Sequence, residues 1–154
     1  MPVSLVLGAV IAGCSPTPDP GPSASTSSPA PAPDETGAST AAPGPVLVPG
    51  GSADDNLPLF AAVTAAIWAT PDRAAGRAYI DALVSAGFDK SAMQVTRDES
   101  TVGNPAESIQ FSVRWGEECL IGQVGPATGE PVTVVMPVLA EGTCLIGQTR
   151  PIDW

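Results

Sequence analysis

The feature that most limits what this chain can fold into is a stretch of 36 residues, 15–50, holding ten Pro, ten Ser or Thr, six Ala and four Gly. It has no aromatic residue, and Val46, Leu47 and Val48 are its only aliphatic residues larger than alanine. A segment of this kind buries too little apolar surface to offset the entropy of ordering its backbone. It reads as a solvated tether with polyproline II bias, about 35 Å end to end if flexible and up to about 110 Å if extended. In a chain of 154 residues, that leaves 51–154 for a single modest core.

Ahead of the tether, residues 3–12 form an apolar run, Val-Ser-Leu-Val-Leu-Gly-Ala-Val-Ile-Ala. It is too short to span a bilayer as a helix and suits the core of a signal peptide. The run closes on Ile11-Ala12-Gly13-Cys14, which resembles the bacterial lipobox: an aliphatic residue, two small ones, then the cysteine whose sulfur takes the diacylglyceryl group. Residues 1–13 are therefore expected to be a lipoprotein signal peptide, and Cys14 the lipidation site. The expected address is the extracytoplasmic face of the cell membrane, with the anchor as the membrane contact. Met1-Pro2-Val3-Ser4 lacks the Lys or Arg that holds such a leader in the cytoplasm, which a start a few residues upstream would supply.

The formal charge is −10, from 16 Asp and Glu against 6 Lys and Arg. Without the tether acids Asp19, Asp34 and Glu35, the C-terminal domain keeps 13 acids and 6 bases, a net of −7. Such a surface repels phosphate backbones and anionic lipid heads, so nucleic acid is not an expected partner.

Within the domain, Ser52-Ala53-Asp54-Asp55 supplies capping acceptors and negative charge for a helix start. Leu59, Val63 and Ala66/Ile67 then recur at helical spacing, beside Phe60 and Trp68, with Pro58 in the first turn. Thr70-Pro71-Asp72 starts a second helix, with Gly76, Tyr79/Ile80, Leu83 and Val84 on one face and Gly87 as its stop. Beyond Gly87 the apolar period shortens to two. Strands are expected near 93–97, 108–115, 119–124, 132–136 and 144–148. The fold class is α+β, two helices packed on a mostly antiparallel sheet of about five strands, with one disulfide.

That disulfide follows from the cysteine count. With Cys14 assigned to lipid, Cys119 and Cys144 remain as an even pair in an exported domain. Redox catalysis would call for Cys-x-x-Cys, which is missing, and no histidine completes a zinc site. The two cysteines also open a repeat, Cys119-Leu-Ile-Gly-Gln-Val-Gly-Pro126 and Cys144-Leu-Ile-Gly-Gln-Thr-Arg-Pro151, identical at six of eight positions. As strands, both copies would present Cys, Ile and Gln on one face. A simple meander would hold them too far apart to bridge, so adjacent repeat strands or a bridge across the turns leading into them is expected. Convergent packing around the bridge accounts for the repeat more simply than a two-fold binding site would. If there is such a site, Gln123 and Gln148 are its candidate residues.

The absence of histidine also removes Ser-His and Cys-His catalysis, and Lys90-Ser91 is not a Ser-x-x-Lys motif. No catalytic residue, metal site or cofactor is expected. Carboxylates for glycan cleavage could come from Asp98, Glu99, Glu107, Glu117 and Glu118, but Asp98-Glu99 and Glu117-Glu118 read more simply as solvated turn charges. Trp115 and Trp154 are candidate stacking surfaces, although a terminal tryptophan more often latches the chain end onto the core.

Asn56-Leu-Pro-Leu-Phe60, Ala86-Gly-Phe-Asp-Lys90, the two Cys-Leu-Ile-Gly-Gln copies and the closing Ile152-Asp-Trp154 together resemble a family of small actinobacterial lipoproteins. The resemblance spans 54–154 and implies a shared C-terminal domain of unknown function; it brings no site residues with it. The expected role is a non-catalytic envelope module that binds a cell-wall component or another exported protein. The alternatives are a small glycan-active hydrolase using paired carboxylates and a structural spacer for a partner protein.

Overall fold

The computed structural model describes residues 43–154. The expected signal peptide, Cys14 and the tether as far as residue 42 lie outside the described residues.

Helix α1 (Ala53–Trp68) starts where expected, capped reciprocally by Ser52 and Asp55. Because it begins at Ala53, Pro58 falls in the second turn rather than the first. There it faces solvent and withholds one helical hydrogen bond. The buried stripe is Ala53, Asn56, Phe60 and Thr64, so Phe60 occupies the centre of the core-facing side and Ala66 is exposed. Asn56 is buried because it ties down the chain before the helix. Its amide accepts from the Val48 N–H (2.8 Å) and donates to the Val48 and Ser52 carbonyls (3.0 and 2.9 Å). Leu47 packs against the core, so ordered structure reaches back into Val46-Leu47-Val48, ahead of the expected boundary at residue 51.

The second helical segment is divided. Pro71–Ala74 form a 3-10 turn capped by Thr70, and helix α2 runs Gly76–Ser85. The break falls at Ala75, whose extended backbone (φ −115°, ψ 107°) lets Gly76 start a new helix against the sheet. Tyr79, Ile80 and Leu83 are buried on α2, and Val84 turns outward.

Strands β1 (Met93–Val95), β2 (Ile109–Trp115), β3 (Glu118–Val124) and β4 (Val132–Pro137) form one antiparallel sheet in the order β1-β2-β3-β4. The sheet thus has four strands, not five. Its helix-facing side joins α1 and α2 through a line of aromatic rings: Tyr79 stacks on Phe111 (4.6 Å), which meets Phe60 (5.7 Å), which meets Phe88 edge-on (6.1 Å). Opposite Phe111 in the register stands Gly122. A Cβ there would lie 2.4 Å from the Phe111 ring, so the glycine is the slot into which the ring fits.

The missing fifth strand is the second repeat copy. After β4 the chain crosses the face of the sheet remote from the helices, and the Cys144 N–H donates to Gln94 Oε1 of β1 (2.7 Å). Cys144 is also disulfide-bonded to Cys119 of β3, with Cα atoms 5.7 Å apart. Held at both ends, this strap lies over β2, where Ser112 is completely buried. The chain then bridges Thr149 to Thr96 and bonds the Arg150 N–H to the Val95 carbonyl along the β1 edge. The expected alternatives, adjacent repeat strands or a bridge between turns, both give way to a strap over the sheet. The two copies therefore present different surfaces: Ile121 is half-buried in β3, whereas Ile146 is 91% exposed.

Candidate functional site

At the end of α1 the chain turns through the 3-10 segment and leaves Trp68 and Arg73 at one end of the domain. The Arg73 guanidinium lies 5.5 Å from the centre of the Trp68 ring, a cation–π distance. Its backbone is fixed from below, since the Tyr79 hydroxyl donates to the Arg73 carbonyl (2.9 Å). Burial outweighs the nearby Arg73 charge and pushes the Tyr79 hydroxyl up to about 12.

Facing Trp68 are the loop between β1 and β2 and the turn between β3 and β4. Together they enclose a pocket of about 330 Å³ lined by Trp68, Ala74, Pro105, Ala106, Ile109 and Pro126, with Arg73 and Asp98 as its charged groups. Asp98 is already engaged. Its Oδ1 accepts from the Gly76 N–H (2.8 Å) and its Oδ2 from Arg150 Nη2 (2.9 Å). It therefore joins α2 to the C-terminal segment instead of being a solvated turn charge. A Cβ at Gly76 would stand 2.8 Å from both Asp98 Oδ1 and Val95 Cγ2, so this junction admits only glycine without rearrangement. Arg73 takes part in no salt bridge among the described residues. A concave, mainly apolar site with one uncommitted charge is the usual form of a small-ligand pocket.

The structure distributes the residues singled out in the sequence differently. Trp115 packs edge-on against Phe88 (6.1 Å), and its Nε1–H donates to the Gly51 carbonyl (2.8 Å), anchoring the start of α1. Trp154 closes the chain end onto α2: its Nε1–H donates to Asp81 Oδ1 (2.8 Å), Lys90 donates to its carbonyl oxygen, and Arg77, Lys90 and Arg150 stand 5.0 to 5.5 Å from its ring. Neither ring lines the pocket. Gln123 and Gln148 each lie near Gln110, and among the described residues no direct hydrogen bond joins the two. Gln110 donates to Gln123 Oε1 (3.2 Å) and lines a shallow groove of about 350 Å³ together with Gln148. Glu117 and Glu118 sit at the Trp115 end of the β2–β3 hairpin, and Asp98, Glu99 and Glu107 flank its Ile109 end. The five candidate carboxylates are thus split between opposite ends of a seven-residue strand, about 20 Å apart.

Trp68, Arg73 and the prolines facing them were not distinguishable in the sequence as a site. The available signal was Trp68 followed by the Thr70-Pro71 break, which places an aromatic ring at a corner.

A family model described as a domain of unknown function, DUF6993, matches residues 64–148, more than half of the chain. The chain belongs to the DUF6993 family. The matched span takes in Trp68, Arg73, Asp98, both prolines of the pocket and both disulfide cysteines, while the Ser52 cap and the Trp154 latch flank it. No curated protein and no solved structure matches the chain. Among the described residues, no helix of this DUF6993 member is long and apolar enough to cross a membrane, and no three His, Cys, Asp or Glu are gathered as a metal site.

Proposed function

We propose that the chain is an extracytoplasmic lipoprotein, held to the cell membrane through Cys14, whose DUF6993 domain is a non-catalytic binding module for a cell-wall component or another exported protein. The observation that carries the binding role is the pocket of about 330 Å³ between Trp68, Pro105 and Pro126, which has the size and mixed character of a ligand site. The anchor rests on the lipobox-like Ile11-Ala12-Gly13-Cys14 and the Pro/Ser/Thr-rich segment behind it. A tether of that length gives the domain reach toward the wall.

Two features weigh against the hydrolase alternative. The carboxylate at the pocket, Asp98, has both oxygens committed to Gly76 and Arg150. Glu117 and Glu118 stand at the opposite end of the β2–β3 hairpin from Asp98, Glu99 and Glu107, about 20 Å away and beyond the separation at which a glycosidase pair works.

A photoreactive residue placed at Ala74, an exposed position on the pocket wall, tests the binding role in intact cells. The expected result is a discrete crosslinked adduct that is missing when the same group is placed at Val84, exposed on α2. Equal crosslinking at both positions, or none at Ala74, contradicts the reading. Labelling with an alkyne fatty acid, expected in the wild type and lost in C14S, tests the anchor separately.

A further inference from the structure

The chemistry of the pocket narrows its ligand. We propose that it takes a compact apolar body carrying one carboxylate, with the apolar part against Trp68, Ile109, Pro105 and Pro126 and the carboxylate paired with Arg73 at the rim. This rests on reading the pocket as a ligand site.

Three observations support this assignment. The first is the charge balance at the site. Although the chain carries −10 overall, the charged side chains at this pocket are Arg73 and Asp98, and Asp98 is neutralised by Arg150 at 2.9 Å. One positive charge is left over. The second is the geometry of Arg73. Its guanidinium lies 5.5 Å from the centre of the Trp68 ring, within cation–π reach, and takes part in no salt bridge among the described residues, so its N–H donors are available for a planar, two-oxygen acceptor. The Tyr79 hydroxyl holds its main-chain carbonyl, which fixes the point from which the side chain leaves toward the pocket. The third is the lining, in which tryptophan, isoleucine, alanine and proline carbons dominate and reward an apolar body by burial.

A single guanidinium balances one negative charge. A phosphate dianion would bring a second, unpaired charge into an acidic surface, so a carboxylate fits better. The chain terminus of a short peptide and a free medium-chain acid share this chemistry, and the probes distinguish them.

The test is titration calorimetry of the full chain with N-acetyl-phenylalanine, its amide and octanoate. Binding of the amino-acid derivative identifies a peptide-terminus type of ligand, and binding of octanoate alone an aliphatic acid; either result supports the proposal. The amide is expected to bind about ten- to a hundredfold more weakly than the acid, the usual worth of a hydrogen bond to a charged group. In R73M the acid should fall to the level of the amide. In W68A both should weaken, with circular dichroism showing that each variant is folded. Equal binding of acid and amide to the wild type overturns the carboxylate assignment and leaves the pocket a ligand site. The absence of binding by all three probes overturns the assignment, and crosslinking at Ala74 then decides independently whether the site reading survives.

Discussion

Arg150 Nη2 donates to Asp98 Oδ2 at 2.9 Å, and through this pair the C-terminal segment is fastened to the loop that forms one wall of the pocket. Both side chains are about one-quarter to one-third exposed, so the pair works in a medium of intermediate polarity. D98A breaks two contacts at once, the pair and the bond to the Gly76 N–H. A loss of about 2 kcal/mol in urea unfolding is expected, while R150M, which leaves the Gly76 bond intact, should cost about 1 kcal/mol or less.

The repeated motif offers an internal comparison. Gly122 and Gly147 occupy the same position in the two copies, yet a Cβ would meet the Phe111 ring at 2.4 Å in the first and only Thr96 Cγ2 at 3.7 Å in the second. G122A should therefore destabilise the domain by about 1 to 3 kcal/mol through overpacking. G147A should lie within about 0.5 kcal/mol of the wild type. Thermal melts of the two variants side by side check this.

The disulfide closes a 25-residue separation, and in the chain-entropy account its loss costs about 3 kcal/mol. C119S and C144S should show this in denaturant titrations. Amide exchange should then rise first along 144–148, before it rises in α1 or β2.

The pH dependence follows from four groups. Bonds from the Ser52 backbone and hydroxyl lower Asp55, and the Ser91 hydroxyl and backbone do the same for Asp89. At Asp81, burial acts upward but is outweighed by bonds from Trp154 and Arg77 and by the charges of Arg77 and Lys90. A carboxyl group lowered in the folded state stabilises above its unfolded pKa, about 4, and loses that contribution as pH falls through the folded value. Stability should be level near neutrality and decline below about pH 4, with a flatter decline in D55N/D81N/D89N. Tyr79, raised to about 12 by burial, acts in the opposite direction. Its contribution is complete below about pH 10 and is lost as pH rises toward the folded value, an alkaline decline that Y79F should remove.

The α1 cap, the alternation of β2 and the disulfide could be read directly from the residues, because each rests on a local pattern or a count: Ser52 with Asp55, apolar residues at every second position from Ile109 to Trp115, and two cysteines left after Cys14. The second Cys-Leu-Ile-Gly-Gln copy could not be read this way. Its sequence is as strand-like as the first, but its position is set by the bond to Cys119 and by Gln94, which lies 50 residues before Cys144. The break at Ala75 likewise depends on Gly76 meeting Asp98 and Val95, contacts that no local pattern carries. The pocket depends entirely on such distant pairings. Trp68, Asp98, Pro105 and Pro126 belong to three separate parts of the chain, and only the folded sheet brings them together.

The claim that the Trp68–Arg73 pocket is where this domain binds is tested most directly by an NMR titration of the isotope-labelled chain with solubilised cell-wall fragments and with N-acetyl-phenylalanine. Saturable shifts are expected at the Trp68 indole N–H, the Arg73 side chain, Ala74, Ala106, Gly125 and Gly129, with little change at Trp115 and Trp154. Shifts concentrated instead on Ile121, Val134 and Met136 of the open sheet face would contradict it.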